Sequence, residues 1–418
     1  MLIGFWMVPL TLNYLNPTKY GIWLTLSAVI SWLTLLDVGL GNGLRNKLSE
    51  ALAKNDVALG RTYVSTSYAI IGLIVLFAFT LFTLLNRFID WTALLNTPGE
   101  LGNEVDALVI VVVGFFLVRL FSGLISSILT AGQRVGAVGL IDLIINGLSL
   151  VMIFVLPFYV SNSLFGVGVG ISFITMIVPA VASVYYFNTS LKLYSPSFKY
   201  IDFKFFPDLK KLSLDFFILS VSTIVIYFSQ NLIISRLLGP VEVTTFNIAY
   251  KYFFYVVVLY TLVLNPILPA ATEAYFKGDL EWIKRTLKRL LYLWIFLVVL
   301  VIAMVLSSAF FYRIWVGSKV DIPFSISLAM GFYIVLFCWY ATFAYIINGI
   351  GKIKLQLYLM IFISIVIIPI SIYMAKDLHL GIEGVIYAGF ICTLPGSVII
   401  PIQLYKILNK TAAGLWNK

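Results

Sequence analysis

Apolar runs of about twenty residues recur along this chain, and an α-helix of that length crosses the hydrocarbon core of a bilayer. Apolar residues make up 61% of the 418 residues and charged residues 11%, too little polar material to cover a soluble protein. We therefore predict an all-α integral membrane protein with about twelve transmembrane helices. The predicted spans are Met1–Leu12, Gly21–Leu40, Tyr63–Leu85, Ala107–Leu129, Val138–Tyr159, Leu164–Phe187, Leu212–Leu237, Asn247–Ala270, Leu290–Phe311, Pro323–Ile347, Gln356–Met374 and Val385–Tyr405.

The chain also carries an internal repeat at one fixed offset. Residues 49–56 read SEALAKND and residues 272–279 read TEAYFKGD, an offset of 223 (272 − 49). The same offset aligns LNP at residues 15–17 with LGP at residues 238–240, and Arg61 with Lys284. Such duplication is typical of transporters built from two homologous helix bundles. We predict two pseudo-symmetric six-helix bundles over residues 1–187 and 212–418, joined by a cytoplasmic linker over residues 188–211.

The first apolar run is too short to cross a bilayer. The repeat explains this, because the seventh run starts near Leu212 and its counterpart would start about ten residues before Met1 (212 − 223). We therefore expect the chain to begin inside its first helix, which is truncated at its N-terminal end. A signal peptide fits less well, since no basic residue precedes the run and no small-residue cleavage site follows it.

Basic residues are distributed unequally between the two sides of the predicted spans. Of the 28 Lys and Arg residues, 20 fall on one side, 6 on the other, and Arg119 and Lys251 fall inside spans. The positive-inside rule then places the ends of the even-numbered spans and both termini in the cytoplasm. This placement accounts for the net charge of +10 without a nucleic-acid partner. The linker is basic and aromatic, and we expect it to lie on the anionic inner leaflet.

Arg119 is the most unusual residue within a predicted span. It lies near the middle of Ala107–Leu129, where an arginine costs at least about 2.5–3.5 kcal/mol on insertion scales, so it should face protein or water. One hypothesis is that it binds an anionic phosphate group in a central cavity. The alternative is a structural pair with Asp142 on the next helix.

Polar residues recur at helical spacing on the seventh and eighth spans. Such a stripe predicts either a face that lines a wet cavity or contacts that hold neighbouring helices together. For Lys251 a third interpretation is snorkelling towards the interface. Three carboxylates near cytoplasmic helix ends are either interfacial groups or coupling groups. The stripe residues are Ser220, Thr223, Tyr227, Gln230, Asn231, Asn247, Lys251 and Tyr255, and the carboxylates are Asp37, Asp142 and Asp215.

The sequence has no recognisable catalytic or metal-binding pattern. Cys338 and Cys392 lie in apolar runs, the lone His379 lies in a short loop, and no HExxH, Walker or catalytic-triad signature is present. No loop is large enough to hold a separate catalytic domain. We therefore expect a protein that is not an enzyme and that needs no cofactor, with possible Na⁺ or H⁺ coupling.

Four stretches of the chain resemble the bacterial O-antigen and capsule lipid-linked oligosaccharide flippases. That family belongs to the superfamily that also contains multidrug-and-toxin exporters and the lipid II flippase. The four are LLDVGLGNGLRNKLSEALAKND (Leu35–Asp56), AGQRVG (Ala131–Gly136), LLGPVEVTTFNIAYKYF (Leu237–Phe253) and PAATEAYFKGDLEWIKRTLKR (Pro269–Arg289).

The resemblance implies a V-shaped pair of six-helix bundles in the bacterial inner membrane. Such proteins move undecaprenyl-pyrophosphate-linked oligosaccharide from the cytoplasmic to the periplasmic leaflet by alternating access. The implied partners are this substrate and membrane lipid, and we also expect a polysaccharide polymerase and a chain-length regulator. An alternative is a multidrug exporter of the same fold. Cationic drugs need buried carboxylates, however, whereas the deepest charge here is the cation Arg119.

The resemblance also implies that cations in the cavity hold the pyrophosphate. Arg119 and Lys251 fit this role by type and depth, and the polar stripes would line the same cavity. Relatives often carry an acidic residue on the seventh helix, where this chain has Gln230 and Asn231. Ion coupling at that position therefore does not carry over to this chain.

Overall fold

A computed structural model describes residues 2–37, 39–205 and 213–417, apart from the side chains of Leu2, residues 213–220 and Tyr227. All the regular elements in these ranges are helices. The α-helices are α1 (Leu2–Ser31), α2 (Leu40–Ala53), α3 (Val57–Leu85), α4 (Trp91–Leu95), α5 (Gly102–Ser122), α6 (Leu124–Ala131), α7 (Val135–Val155), α8 (Leu164–Asn188), α9 (Ser213–Leu238), α10 (Pro240–Leu264), α11 (Ile267–Phe276), α12 (Leu280–Trp315), α13 (Phe324–Ile350), α14 (Lys354–Ile372) and α15 (Gly381–Leu408).

Eleven helical segments in the described part of the chain are long and apolar enough to cross a membrane. The predicted all-α membrane fold is therefore confirmed. The count is eleven because one segment, Ile3–Asp37, covers most of both of the first two predicted spans. Within that segment the backbone of Asn16 is not helical, with φ 69° and ψ 166°. Asn16 thus divides α1 at the boundary between the two predicted spans.

The break at Asn16 recurs in the second half of the chain. Gly239 stands 223 residues later (239 − 16) and has φ 106° and ψ 167°, in the same region of backbone space. A proline, Pro17 or Pro240, follows each break, and its fixed φ suits the first turn of a helix. This backbone region is essentially restricted to glycine. Asn16 occupies it while its side chain accepts a hydrogen bond from the backbone N–H of Lys19 at 3.0 Å.

The repeated octapeptide forms the same junction between two helices in each half. Helices α2 and α11 end at equivalent residues, and a residue with left-handed backbone follows two positions later, Asn55 (φ 54°) or Gly278 (φ 75°). An aspartate then caps the next helix. Asp56 accepts a hydrogen bond from the N–H of Leu59 at 2.9 Å, and Asp279 accepts one from Trp282 at 2.9 Å. Each cap satisfies an N–H that would otherwise lack a partner.

Side chains of the octapeptide also tie each junction to the fourth predicted span of its half. The Ser49 hydroxyl donates to the carbonyl of Ala131 at 3.1 Å, and the Thr272 hydroxyl donates to the carbonyl of Gly349 at 2.6 Å. Both carbonyls lie at the C-terminal end of a helix, where carbonyl groups lack helical partners. The repeat detected in the sequence is therefore a repeat of hydrogen bonds as well as of residues.

A lysine–glutamate pair completes each junction. Lys54 bonds Glu50, and Lys277 bonds Glu273 one helical turn away. The hydrogen bond from Lys54, aided by Lys47, holds the pKa of the Glu50 carboxyl below its ordinary value. Exposed pairs of this kind contribute little to stability. Their value here is that they mark equivalent positions in the two halves.

The chain divides into two compact units, Met1–Ile224 and Val225–Lys418. In the first unit, Leu48 of α2 lies in a buried cluster with Val64 of α3 and Ile128 of α6. In the second, α13 is mostly buried and packs against α10, α11, α12 and α15. Gly349 permits the contact with α11, because a Cβ atom there would lie 2.5 Å from the carbonyl oxygen of Leu268.

Part of the predicted linker, residues 192–205, folds back on α3 within the first unit, and we call it the strap. Arg61 Nε donates to the Ser195 carbonyl at 2.9 Å. The N–H of Ser197 donates to Ser65 Oγ at 3.0 Å, and the N–H of Asp202 donates to Thr66 Oγ1 at 3.0 Å. These hydrogen bonds fix the strap along one edge of α3. The domain boundaries predicted from the sequence stay a prediction.

Aromatic residues fasten the strap and also project from it. The ring of Phe205 packs edge-on against Tyr63 at 5.4 Å, and Tyr200 lies 4.5 Å from the Arg61 guanidinium. Tyr194 covers Gly60, where a Cβ atom would lie 2.8 Å from its ring. In contrast, Phe198 is 94% exposed. The strap thus presents an apolar ring outwards next to the basic Lys199.

We expect Asn16→Gly to raise the free energy of unfolding by about 1 kcal/mol, because glycine adopts this backbone region without strain and the lost cap costs only a few tenths. Thermal unfolding of the purified protein in detergent measures the effect. Asn16→Ala keeps the strained backbone and loses the cap, so it should unfold at a lower temperature than the unmodified chain. Gly239→Ala should also lower the unfolding temperature, because alanine is strained in this backbone region. A lower unfolding temperature for Asn16→Gly would show that the asparagine is not strained.

Candidate functional site

Arg119 lies in the last turn of α5, directly before Gly123 separates that helix from α6. Its side chain is exposed, and its guanidinium lies 5.9 Å from the centre of the Phe116 ring. Among the described residues, no side chain or carbonyl hydrogen-bonds this guanidinium. The position also favours a cation because the C-terminal end of a helix carries partial negative charge. Arg119 therefore lies within an apolar span and has hydrogen-bond donors that no described residue uses.

Asp142 of α7 is the charged group that interacts electrostatically with Arg119. Among the described residues, however, the two do not form an ion pair within 4.0 Å. Both side chains are exposed. The side-chain amide of Asn146 donates to the backbone carbonyl of Asp142 and not to its carboxylate. The structure thus places Arg119 and Asp142 near each other without a direct ion pair between them.

Asp37 has a structural function that the sequence did not reveal. Its carboxylate oxygens lie 3.0 and 3.4 Å from the backbone N–H of Gly41, in the first turn of α2. An anion at a helix N-terminus is favoured by the helix dipole and by the unpaired N–H groups. A Cβ atom at Gly41 would lie 3.2 Å from this carboxylate and 3.0 Å from Ser127 Oγ. Asp37 is therefore part of the junction between the second predicted span and α2.

In the second unit, the polar stripes of α9 and α10 meet through two asparagines. Asn247 Nδ2 donates to Asn231 Oδ1 at 2.8 Å and to the Val243 carbonyl at 2.8 Å, and Asn247 is buried. Lys251 and Tyr255 follow on the same face of α10, are half-buried, and both engage neighbouring groups. The side chains of Tyr227 and Asp215 lie outside the described residues.

Gln230 points in a different direction from Asn231. It is buried, and its Nε2 lies 3.5 Å from where a Cβ atom on Gly389 would stand, beside the ring of Tyr333. It therefore faces the interior of the second unit, between α9, α13 and α15. Adjacent residues on a helix are separated by about 100°. Gln230 and Asn231 therefore lie on two different surfaces of α9, although both belong to the stripe predicted from the sequence.

A pair of carboxylates in the second unit was missed by the sequence analysis. Glu242 begins α10 and Glu383 begins α15, and the two interact electrostatically. The Ser325 hydroxyl donates to Glu383 at 2.6 Å. Glu242 and Glu383 are 141 residues apart (383 − 242), so only their shared position in the first turn of a helix could have suggested them. No group of three or more metal-ligating side chains occurs within the described ranges.

A family model described as "Polysaccharide biosynthesis protein" matches residues 1–274 of this chain. A protein of Yersinia pseudotuberculosis, provisionally named as an O-antigen export protein, is 25% identical over 371 residues, covering 84% of this chain and 80% of that protein. A Salmonella typhi protein, provisionally named as an O-antigen transporter, is 22% identical over 416 residues, covering 95% of this chain and 90% of the relative.

Solved structures of similar fold are multidrug resistance MATE family transporters of the MOP superfamily. An inward-facing structure has a TM-score of 0.79 and 16% identity, covering 98% of this chain and 94% of the other. An outward-facing structure has a TM-score of 0.64 and 13% identity, covering 95% and 89%. At these identities the similarity establishes the fold alone. That fold agrees with the predicted two-bundle architecture.

We expect Asn231→Ala and Asn247→Ala to show a coupling energy of about 0.6 kcal/mol in a double-mutant cycle, the usual size for a hydrogen bond between membrane helices. Each single variant should lower stability, and the double variant should lose less than the sum. Equilibrium unfolding in mixed micelles measures the three differences. Strictly additive losses would show that the asparagine contact contributes nothing to holding α9 against α10.

Proposed function

The chain belongs to the polysaccharide biosynthesis protein family, and from this premise we propose that it is a flippase for a lipid-linked oligosaccharide. The substrate is an undecaprenyl-pyrophosphate-linked repeat unit of O-antigen, capsule or exopolysaccharide. The protein moves it from the inner to the outer leaflet of the bacterial inner membrane by alternating access. Relatives named for O-antigen export and a transporter fold support this function over an enzymatic one.

The main support for this function is the environment of Arg119. An exposed guanidinium without a hydrogen-bond partner among the described residues is costly in an apolar span, and an anionic ligand would offset that cost. A pyrophosphate offers paired oxygens that match the two N–H groups along one edge of the guanidinium. Low dielectric strengthens the contact further. Arg119 is thus proposed to recognise the phosphate end of the substrate.

The α9–α10 face of the second unit is proposed to contribute the remaining polar contacts. Asn231 and Asn247 hold this face together, and Lys251 and Tyr255 extend it along α10. Tyr227 belongs to the same stripe by its position in the sequence. Gln230 has a smaller part in this proposal, since it faces the interior of the unit.

An ion gradient, of Na⁺ or H⁺, is proposed to drive transport. Of the carboxylates found from the sequence, Asp37 is occupied in capping α2. Asp142 is the stronger candidate because its carboxylate accepts no hydrogen bond from the described residues and lies near Arg119. A carboxylate that exchanges between a cation and Arg119 would link ion binding to substrate release.

A multidrug exporter remains the alternative, since the solved structures of similar fold are multidrug transporters. The two functions need opposite charges in the membrane. A cationic drug requires a carboxylate, whereas a pyrophosphate requires a cation such as Arg119. The effect of Arg119 variants on polysaccharide, compared with drug resistance, therefore separates the two.

We expect Arg119→Ala to abolish surface polysaccharide in a host that depends on this protein, while the protein still reaches the membrane. Arg119→Lys keeps the charge but loses the bidentate geometry, so it should retain partial activity. Polysaccharide immunoblots and membrane fractionation measure the two quantities. As a control, Lys277→Ala removes one exposed, ion-paired charge and should leave polysaccharide unchanged.

Two outcomes would contradict the role of Arg119. Normal polysaccharide from a stably expressed Arg119→Ala variant would exclude it from substrate recognition. Loss of the protein itself, rescued by Asp142→Asn in the double variant, would indicate that Arg119 and Asp142 form a structural pair.

Both termini are proposed to lie in the cytoplasm, with a polymerase and a chain-length regulator as partners in the same membrane. We expect green fluorescent protein fused after Lys418 to fluoresce and alkaline phosphatase at the same position to be inactive. Alkaline phosphatase inserted between α3 and α4 should be active. The reverse pattern would invert the orientation inferred from the basic residues.

A further inference from the structure

The first unit contains an apolar cavity of about 950 Å³ that the proposed transport function does not use. It lies between α3, α5, α8 and the strap. Small residues such as Ala69, Gly72 and Ala180 create the space, and large apolar side chains surround it. This volume is at the upper end of the usual range for ligand cavities, roughly 300–1,000 Å³.

A second cavity, of about 640 Å³, adjoins the first and has a different character. The two share Phe187, Asn188 and Ser195 as lining residues, so they lie side by side. The second is lined by Arg61 and Lys192, both on the side predicted to be cytoplasmic. The pair of cavities is therefore amphipathic, with an apolar chamber at one end and a basic mouth at the other.

Both cations at the mouth have unused hydrogen-bonding capacity. Arg61 uses Nε to bond the Ser195 carbonyl and places its face near Tyr200. Within the described ranges the terminal nitrogens of Arg61 have no acceptor, and the side chain of Lys192 forms neither a hydrogen bond nor an ion pair. The strap holds the guanidinium in place, so it is preorganised for an anion.

The outer edge of the apolar chamber is exposed along α3 and α8. Leu73 is 58% exposed and Val184 is 63% exposed, and both line the chamber. In a membrane protein such side chains contact lipid chains. The chamber is therefore accessible to hydrocarbon from the surrounding bilayer, while its basic mouth lies at the N-terminal end of α3 and just beyond the C-terminal end of α8.

We propose that this pair of cavities is a binding site for an anionic membrane phospholipid. Its acyl chains occupy the chamber between α3, α5 and α8, and its phosphate bonds Arg61 and Lys192. The strap forms the wall between chain and headgroup. Phe198 and Lys199 extend the same amphipathic surface outwards, with a ring for the acyl region and a charge for the headgroups. The bound lipid is a structural component of the first unit and not the transported substrate.

Photo-crosslinking of the full-length protein in nanodiscs tests this proposal. The probe is phosphatidylglycerol with a diazirine in one acyl chain. We expect crosslinks to concentrate on the α3 and α8 peptides that line the chamber. Unlabelled phosphatidylglycerol should compete at least about fivefold better than phosphatidylcholine, which carries no net charge.

Three variants separate the contribution of the lipid headgroup from that of the acyl chains. Lys192→Gln loses no side-chain hydrogen bond or ion pair to the described residues, and it should lower crosslinking about fivefold, the usual effect of one basic residue at an anionic surface. Ala69→Phe combined with Ala180→Phe fills the chamber and should abolish the crosslinks on α3 and α8. Lys277→Gln removes one charge from the second unit and should change nothing. Size-exclusion profiles check that each variant is folded.

Crosslinks spread evenly over all apolar spans, or unchanged in Lys192→Gln and in the folded chamber-filling variant, would overturn the proposal. Equal competition by phosphatidylcholine would show that the site does not recognise the anionic headgroup. Undecaprenyl phosphate that displaced the probe at lower concentration than phosphatidylglycerol would also overturn it, because the site would then belong to the transported class of lipid.

Discussion

The rest of this structure depends on one constraint, which is that hydrocarbon cannot hydrogen-bond a peptide group. Every N–H and C=O within the membrane must find a partner inside the protein, so the chain crosses as helices and each interruption has to be compensated. The interruptions here are compensated in the same way in both halves. Asn16 and Gly239 precede prolines, which lack the N–H that a helix start leaves unpaired. The hydroxyls of Ser49 and Thr272 satisfy carbonyls at helix ends.

The internal repeat is therefore best understood as a repeated solution to that constraint. The residues shared by the two octapeptides are those that end one helix, turn the chain and cap the next. Residues that differ between the halves have been free to take separate functions. Arg61 holds the strap, while its counterpart Lys284 pairs with Glu281 on its own helix. The first unit thus acquired a basic cavity at a position where the second has an exposed ion pair.

The sequence predicted the spans and the repeat because both follow from local properties, hydrophobicity and residue identity. It placed the boundary between the first two spans within residues 13–20, and the backbone breaks inside that stretch, at Asn16. It did not reveal the cap formed by Asp37, the inward direction of Gln230, or the carboxylates of Glu242 and Glu383 at one end of the second unit. These depend on which helices are neighbours, and contacts between helices far apart in sequence leave no periodic signal. The strap belongs to the same class, since its hydrogen bonds join residues more than 130 positions apart.

The strap also has a consequence for how the protein responds to bilayer thickness. Helix α3 has 29 residues, a length of about 43 Å, whereas a typical hydrocarbon core measures about 30 Å. The strap is hydrogen-bonded to the N-terminal part of α3 and carries the exposed ring of Phe198. The lysines of the strap oppose movement of this end into hydrocarbon, so the excess of about 13 Å is expected to be taken up by tilt or at the opposite end, where Leu84 is exposed. Hydrophobic mismatch would therefore act on the two ends of α3 unequally, and a thicker or thinner membrane would first affect the C-terminal end of this helix.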